Sequence, residues 1–314
     1  MPDVLTSLPD AVRGGTVVTL GTFDGVHRGH MLVLERTADA ARRAELASVA
    51  LTFDPHPLDV VNPSAAPPLL TLRDEKLDLL SQTSIDYVIV VPFTPELARL
   101  SPEEFVDQVL ISRFRMKALL VGHDHGFGRG RAGDIESLRV IGGKRGFPVE
   151  AVDAVLGSDG LPISSTAIRR AIAHGDLARA QEGLGRPYGF AGAVGHGDGR
   201  GKQLGFPTVN IQLESRRKLL PPVGVYAVAI AGPRGQFGGM MNLGPRPTFG
   251  DDAVSLEVHA FDADGDWYRD RVRVEFVAKL RDTVRFDGPE ALVAQLRIDA
   301  EQARSLLRQS HRVR

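Results

Sequence analysis

The chain contains no cysteine, which excludes disulfides, zinc-thiolate sites and a cysteine nucleophile. That absence suits a reducing cytosol. Net charge is also scarce: −1 overall, with a pI of about 6.8. A dedicated nucleic-acid binder usually carries a basic excess, so that class starts at a disadvantage. No apolar run approaches the roughly 20 residues that a membrane-spanning helix needs. The first residues, Met1–Val12, carry Asp3 and Asp10 and no basic stretch, unlike a secretory signal. The expectation is a soluble, cytoplasmic protein that binds neither nucleic acid nor membrane. What is present is ordinary globular material, 43% hydrophobic and 25% charged over 314 residues. That length is comfortable for two domains.

The two halves differ in pattern. In the first, short apolar runs alternate with helical stretches. Strand candidates are Thr16–Leu20, Ala47–Phe53, Tyr87–Val91, Ala118–Val121 and Pro148–Val152. Met31, Leu34, Ala38 and Ala41 recur at helical spacing, and further helices are expected at Arg73–Ser81, Pro102–Arg113 and Ile135–Lys144. Alternation of this kind predicts a parallel sheet covered on both faces, with ligands at the carboxyl ends of its strands. From about Tyr188 strands dominate: Phe190–Val194, Pro207–Leu213, Val225–Ala231, Gly239–Leu243, Ser255–Phe261 and Arg271–Leu280. Their polar–apolar alternation predicts a small antiparallel barrel or sandwich. A last helix starts near Pro289, with Leu292, Leu296, Ala303 and Leu307 as its buried stripe. The domain boundary is placed at Gly185–Pro187, after a helical stretch at Ala167–Gln181, giving domains 1–185 and 186–314. There is no internal repeat.

The first half holds three candidate elements. Gly21-Thr22-Phe23-Asp24-Gly25-Val26-His27-Arg28-Gly29-His30 follows the first strand and leads into the first helix. A helix N-terminus at a sheet's ligand edge offers N–H groups and a positive dipole end to phosphate. His27 and His30, three apart, can face one ligand, and Gly29 lets the backbone approach closely. An exposed strand-to-helix turn is the competing reading; the place directly after the first strand favours the phosphate site. Ser164-Ser165-Thr166-Ala167-Ile168-Arg169 begins another helix. Ser164 or Ser165 as a simple N-cap explains it, and so does a second phosphate site. The loop Gly122–Asp134 is basic and glycine-rich and fits Gly-x-Gly-x-x-Gly, but it follows the fourth strand candidate, whereas that fingerprint normally follows the first.

In the second half, Gly195–Lys202 is glycine-dense yet is not a Walker A loop, and protein-kinase signatures are missing. Strand alternation puts Thr208 and Asn210 on one face, where their oxygens can ligate magnesium, or simply meet solvent. Glu257 and His259 share a face of a later strand, and a carboxylate there can take a proton from a hydroxyl. A solvated strand face is again the alternative.

Taken in order, these stretches resemble the bacterial bifunctional riboflavin kinase/FMN adenylyltransferase family over about residues 14–308. The first half is similar to its adenylyltransferase module in Gly21–His30, Thr52–Pro57, Leu70–Leu80, Val121–Asp134 and Ser164–Arg169. The second is similar to its kinase module in Gly185–Tyr188, Gly201–Ile211, Gly224–Tyr226, Asn242–Phe249, Leu256–His259, Gln295, Asp299 and Arg304. The resemblance implies a nucleotidylyltransferase-like, Rossmann-like parallel-sheet domain followed by a small antiparallel β-barrel closed by a helix. It implies ATP, riboflavin and FMN as small-molecule substrates and Mg2+ as cofactor. By it, His27 and His30 engage ATP phosphates within a turn that includes Gly21, Phe23, Asp24 and Gly29. Ser164, Thr166 and Arg169 hold the triphosphate, and His56 and Asp124 line the pocket. By the same resemblance Thr208 and Asn210 bind magnesium and Glu257 is the catalytic base. Gly201, Lys202, Gly205, Pro207 and Arg304 belong to the ATP and flavin site. Where the family usually has Leu-Tyr-Gly, this chain has Trp267-Tyr268-Arg269.

Overall fold

The structure is a computed structural model and describes residues 3–10, 12, 14–123, 134–196, 200–245, 254–263 and 265–311. The chain divides into two compact units, Met1–Ser165 and Thr166–Arg314. The boundary expected from sequence lies later, at the end of the second helix of the second unit.

The first unit is built on six strands: β1 (Asp3–Leu5), β2 (Thr16–Leu20), β3 (Ala47–Asp54), β4 (Tyr87–Pro92), β5 (Met116–Gly122) and β6 (Val149–Val152). Their order is β1-β4-β3-β2-β5-β6 and every pairing is parallel. Helices α1 (Arg28–Ala44), α2 (Pro57–Val61), α3 (Arg73–Leu80), α4 (Pro95–Arg99), α5 (Pro102–Phe105) and α6 (Ile135–Arg145) connect them. All of β2 is buried because neighbouring residues are covered on opposite faces. Val18 and Leu20 pack with Phe105, Phe114 and Leu138, while Val17 packs with Val33 and Ala41 of α1. From β2 the chain moves outward through β3 and β4, then returns to place β5 on the other side of β2. The switch point therefore lies between β2 and β5, where an open α/β sheet binds its ligand.

Two helix expectations needed correction, and one strand was added. The stretch Pro102–Arg113 is a short α5 followed by a π-helical segment, Val106–Ile111. There Ser112 N–H donates to Asp107 O at 3.1 Å, five residues back. The stretch Ala167–Gln181 is two helices, α7 (Ser165–Ala173) and α8 (Leu177–Leu184), separated at Gly175, whose φ is +77°. Strand β1 was not expected: it is three residues long and mostly exposed, which leaves almost no periodic signal.

The second unit closes six strands into a barrel: β7 (Gly189–Gly195), β8 (Val209–Gln212), β9 (Gly224–Gly232), β10 (Gly235–Pro245), β11 (Val254–Ala260) and β12 (Arg271–Arg281), in the order β10-β11-β8-β7-β12-β9. Strand β8 starts only at Val209, because Pro207 has no N–H to give a ladder. A one-turn helix, α9 (Arg200–Gln203), precedes it, and α10 (Pro289–His311) ends the chain. Ala303 and Leu307 of α10 are buried with Ala227, Met240 and Phe261, whereas Leu292 and Leu296 are half-buried. The same stripe buries Asp299, at 1% exposure, against the Arg281 guanidinium at 2.8–3.0 Å and the Gln295 amide at 2.8 Å. Arg269 has φ +68°, a left-handed conformation that glycine adopts freely.

Candidate active sites

The turn after β2 is held in an uncommon backbone path. Phe23 and Val26 have φ of +46° and +40°. Left-handed backbone at such residues costs on the order of 1–3 kcal/mol each unless the surroundings enforce it. Both side chains are buried with Leu34, Ala38 and Leu80, which supplies part of that enforcement. Asp24, 2% exposed, supplies more. Its carboxylate accepts from Leu70 N–H (3.0 Å), Thr71 N–H (2.9 Å) and the Thr71 hydroxyl (3.1 Å), and Gly25 N–H donates back to Thr71 Oγ1 at 3.0 Å. The Asp24 carbonyl accepts from the Ser165 hydroxyl at 2.9 Å. Asp24 thus serves as the turn's anchor.

The anchored turn ends in the two histidines. His27 caps α1: its Nδ1 accepts from His30 N–H at 3.3 Å, so that nitrogen carries no hydrogen and the ring's proton sits on Nε2. The rings of His27 and His30 stack with centroids 3.6 Å apart, and His30 meets Phe23 edge-on at 5.3 Å. A Cβ at Gly29 would lie 3.1–3.2 Å from the His27 ring, so glycine is what lets that ring stay in place. His27 is 6% exposed and His30 half-buried.

Lys76 joins two loops at this edge. Its ammonium donates to Phe53 O at 3.1 Å and Thr22 O at 3.3 Å, and Thr52 Oγ1 donates to the same Thr22 carbonyl at 3.2 Å. Burial pushes this lysine below the ordinary lysine range, against the opposing pull of Asp24 and Asp54. His56 caps α2, its Nδ1 accepting from Leu58 N–H at 3.2 Å. Gly21 closes β2, its N–H donating to Leu51 O at 3.0 Å. Ser164 immediately precedes α7, and Thr166 and Arg169 occupy that helix's first turns. Asp124 lies outside the described residues, as do 125–133.

On the barrel, Glu257 of β11 stands opposite Asn210 of β8 and opposite Asn242 of β10. Residues directly opposite in antiparallel strands share a face, so the three form a row across three strands. The row is on the outer surface: Leu256 and Val258, either side of Glu257, are buried in the barrel. The Ser255 hydroxyl donates to Glu257 Oε1 at 2.8 Å. Thr208 sits one residue before β8 and is half-buried. A Cβ at Gly201 would come 2.4 Å from Phe206 O and 3.3 Å from Thr208 Oγ1, so only glycine lets α9 rest against that segment. Gly205, at φ +81°, turns the chain toward exposed Pro207, whose carbonyl accepts from His259 Nδ1 at 2.7 Å. Arg304 pairs with Asp262 at 2.6 and 2.9 Å and lies over the Phe261 ring at 4.3 Å. That guanidinium holds Asp262 below the usual carboxylate range. The Lys202 side chain and residues 197–199 and 246–253 lie outside the described residues.

Sequence reading missed Thr71, Lys76, Asn242 and Ser255. Lys76 had a signal: with Leu72 and Leu80, both buried, it marks one helix face at a spacing of four. Ser255 had one too, two residues before Glu257 on the same strand face, whereas Thr71 and Asn242 depend on which strands and loops become neighbours.

A parallel α/β sheet followed in one chain by a small closed barrel, each with a polar constellation of its own, defines a two-module enzyme. Residues 10–167 match the FAD synthetase family and residues 184–307 the riboflavin kinase family. The chain is 38% identical to the bifunctional riboflavin kinase/FMN adenylyltransferase of Escherichia coli K12, covering 95% of each chain. It is 40% identical to that of Pseudomonas fluorescens, covering 93% of each. A crystal structure from Streptococcus pneumoniae, described as a macrolide-efflux protein, has a TM-score of 0.83 and 32% identity over 92% of this chain and 94% of that one. Among the described residues no helix is long and apolar enough to cross a membrane. The chain belongs to the bifunctional riboflavin kinase/FMN adenylyltransferase family.

Proposed function

We propose that the barrel unit phosphorylates riboflavin to FMN and that the sheet unit adenylylates FMN to FAD, each with ATP. In the first step the riboflavin 5′-hydroxyl attacks the γ-phosphorus and ADP leaves. Glu257 accepts the hydroxyl proton. In the second step the FMN phosphate attacks the α-phosphorus and pyrophosphate leaves. His27 and His30, at the N-terminus of α1, stabilise charge on the leaving oxygens. Ser164, at the start of α7, adds a hydroxyl to the same chemistry, and the helix goes on to Thr166 and Arg169. Both reactions depend on alignment and charge neutralisation, with no covalent intermediate.

Mg2+ belongs to this reading. Thr208 and Asn210 offer a hydroxyl and an amide oxygen, hard donors that suit magnesium, with phosphate and water oxygens completing its shell. The ion would supply counter-charge to the triphosphate. A cytoplasmic place for the enzyme rests on the cysteine-free composition.

The observation that carries the kinase half is the strand register that sets Glu257 opposite Asn210. The test is a product assay with ATP, Mg2+ and either riboflavin or FMN. Glu257→Gln is expected to abolish FMN formation and keep conversion of supplied FMN to FAD. His30→Ala is expected to do the reverse. Loss of both activities in either folded variant would refute separate sites.

A further inference from the structure

We propose that Ser255 is a positioning residue for riboflavin phosphorylation, holding the carboxylate of Glu257 in the orientation that accepts the proton. The proposal rests on the reading of Glu257 as the base. Ser255 lies two residues before Glu257 on β11, on the same face, and is 8% exposed. Its Oγ is 2.8 Å from Glu257 Oε1. An ionised carboxylate has no proton to give, so the serine is the donor.

The neighbouring strand supports this arrangement. Ser255 stands opposite Gly244, and Glu257 opposite Asn242, on β10. A Cβ at Gly244 would be 3.5 Å from the Asn242 amide nitrogen and 3.8 Å from its oxygen. The Asn242 side chain therefore leans along its strand over the glycine, toward the Ser255 end of the row. Glu257 is framed by a serine on its own strand and by an amide on each side, Asn210 and Asn242. Among the described residues no hydrogen bond engages Oε2, and that is the oxygen that receives the proton.

In the step itself, the 5′-oxygen forms a bond to the γ-phosphorus. The bond from that phosphorus to the β,γ-bridging oxygen breaks, and ADP leaves with its electron pair. The hydroxyl proton moves to Glu257 Oε2. The Ser255 proton stays on Oγ throughout, since Oε1 still accepts, more weakly, once Oε2 carries the proton. Ser255 never touches substrate; it restricts the glutamate to one rotamer, and misplacement of such a group by about 1 Å costs on the order of 100-fold in rate.

The test measures kcat and KM of the full chain for riboflavin phosphorylation. Ser255→Ala is expected to lower kcat by about 10–100-fold, with KM for riboflavin and ATP changed less than about twofold. Ser255→Thr, which keeps the hydroxyl, restores most of the rate. Adenylylation of supplied FMN stays at the parent rate, and Trp267 fluorescence, from the same unit as Ser255, reports that the barrel is folded. A Ser255→Ala enzyme with unchanged kcat beside an inactive Glu257→Gln enzyme overturns the role of Ser255 and leaves the base intact. A Ser255→Thr enzyme as slow as Ser255→Ala also overturns it. A fully active Glu257→Gln enzyme overturns the base and this proposal together.

Discussion

Replacing Lys76 by Met tests whether the buried ammonium ties the loops after β2 and β3 together. Met has similar length and no charge. The exchange removes two charge-assisted hydrogen bonds, to Thr22 O and Phe53 O, each worth about 1.5–3 kcal/mol. It also removes the cost of burying an ammonium, several kcal/mol even after relaxation. Asp24 then loses a nearby positive charge but keeps its donors from Leu70 and Thr71. The balance is an expected loss of about 1–3 kcal/mol at neutral pH. The pH dependence is sharper evidence than the size. Folding lowers the pKa of Lys76 from its ordinary 10.5. Between the lowered value and 10.5 the unfolded chain still holds a proton that the folded chain has released, so stability rises with pH. Below that window both states are protonated and the burial cost is fully present. Met lacks the group, so the stability gap between parent and variant should widen as pH rises through the window, by at most about 1.4 kcal/mol per pH unit. Urea melts followed by far-UV circular dichroism at a series of alkaline pH values measure that gap. Fluorescence of Trp267, the only tryptophan and part of the second unit, serves as the control. Parallel curves for the two proteins would refute the argument.

Gly29→Ala pushes a methyl group to 3.1–3.2 Å from the His27 ring, which must shift by a few tenths of an ångström and disturb its stack on His30. FAD formation from supplied FMN should fall about 10–100-fold, while thermal stability holds or rises, since Ala favours a helix by up to about 1 kcal/mol over Gly; unchanged adenylylation would refute the role of the stack. Asp299→Ala leaves the half-buried Arg281 guanidinium, among the described residues, only the Asp282 carbonyl at 3.0 Å and the Phe286 ring, and should cost up to about 3–5 kcal/mol in urea melts followed by Trp267 fluorescence; a loss below about 1 kcal/mol would show that those partners and solvent suffice.

What could be read from the chain was set by how local the cause is. Strands β2 to β6 carry continuous apolar runs, so their places were legible to within two residues, and Leu34, Ala38 and Ala41 marked the buried face of α1. His27, Gly29 and His30 were legible as a cluster because one turn and one helix start contain them. The register of Glu257 between Asn210 and Asn242 was not, because it is set by pairing strands separated by up to 47 residues. The π-helical turn at Val106–Ile111 was hidden for a different reason: its apolar residues fit a helical period, and only the hydrogen-bond ladder distinguishes it. Arg269 departs from local preference outright, taking a left-handed backbone without glycine.

The two sites depend on their frameworks in opposite ways. The barrel row is an ordinary strand face, where register alone brings Asn210, Glu257 and Asn242 side by side, and the backbone there is unstrained. The turn after β2 instead departs from several local preferences at once: left-handed Phe23, left-handed β-branched Val26, a buried carboxylate at Asp24 and a buried ammonium at Lys76. Each departure is tolerable because the others support it. Asp24 ties the turn to Leu70–Thr71, Lys76 ties its carbonyl to the end of β3, and the buried Phe23 and Val26 side chains hold the turn's backbone path. A surface loop could not keep this shape. The sheet site should therefore be the more sensitive to changes remote from substrate, and the barrel site the more sensitive to changes along its own strand row.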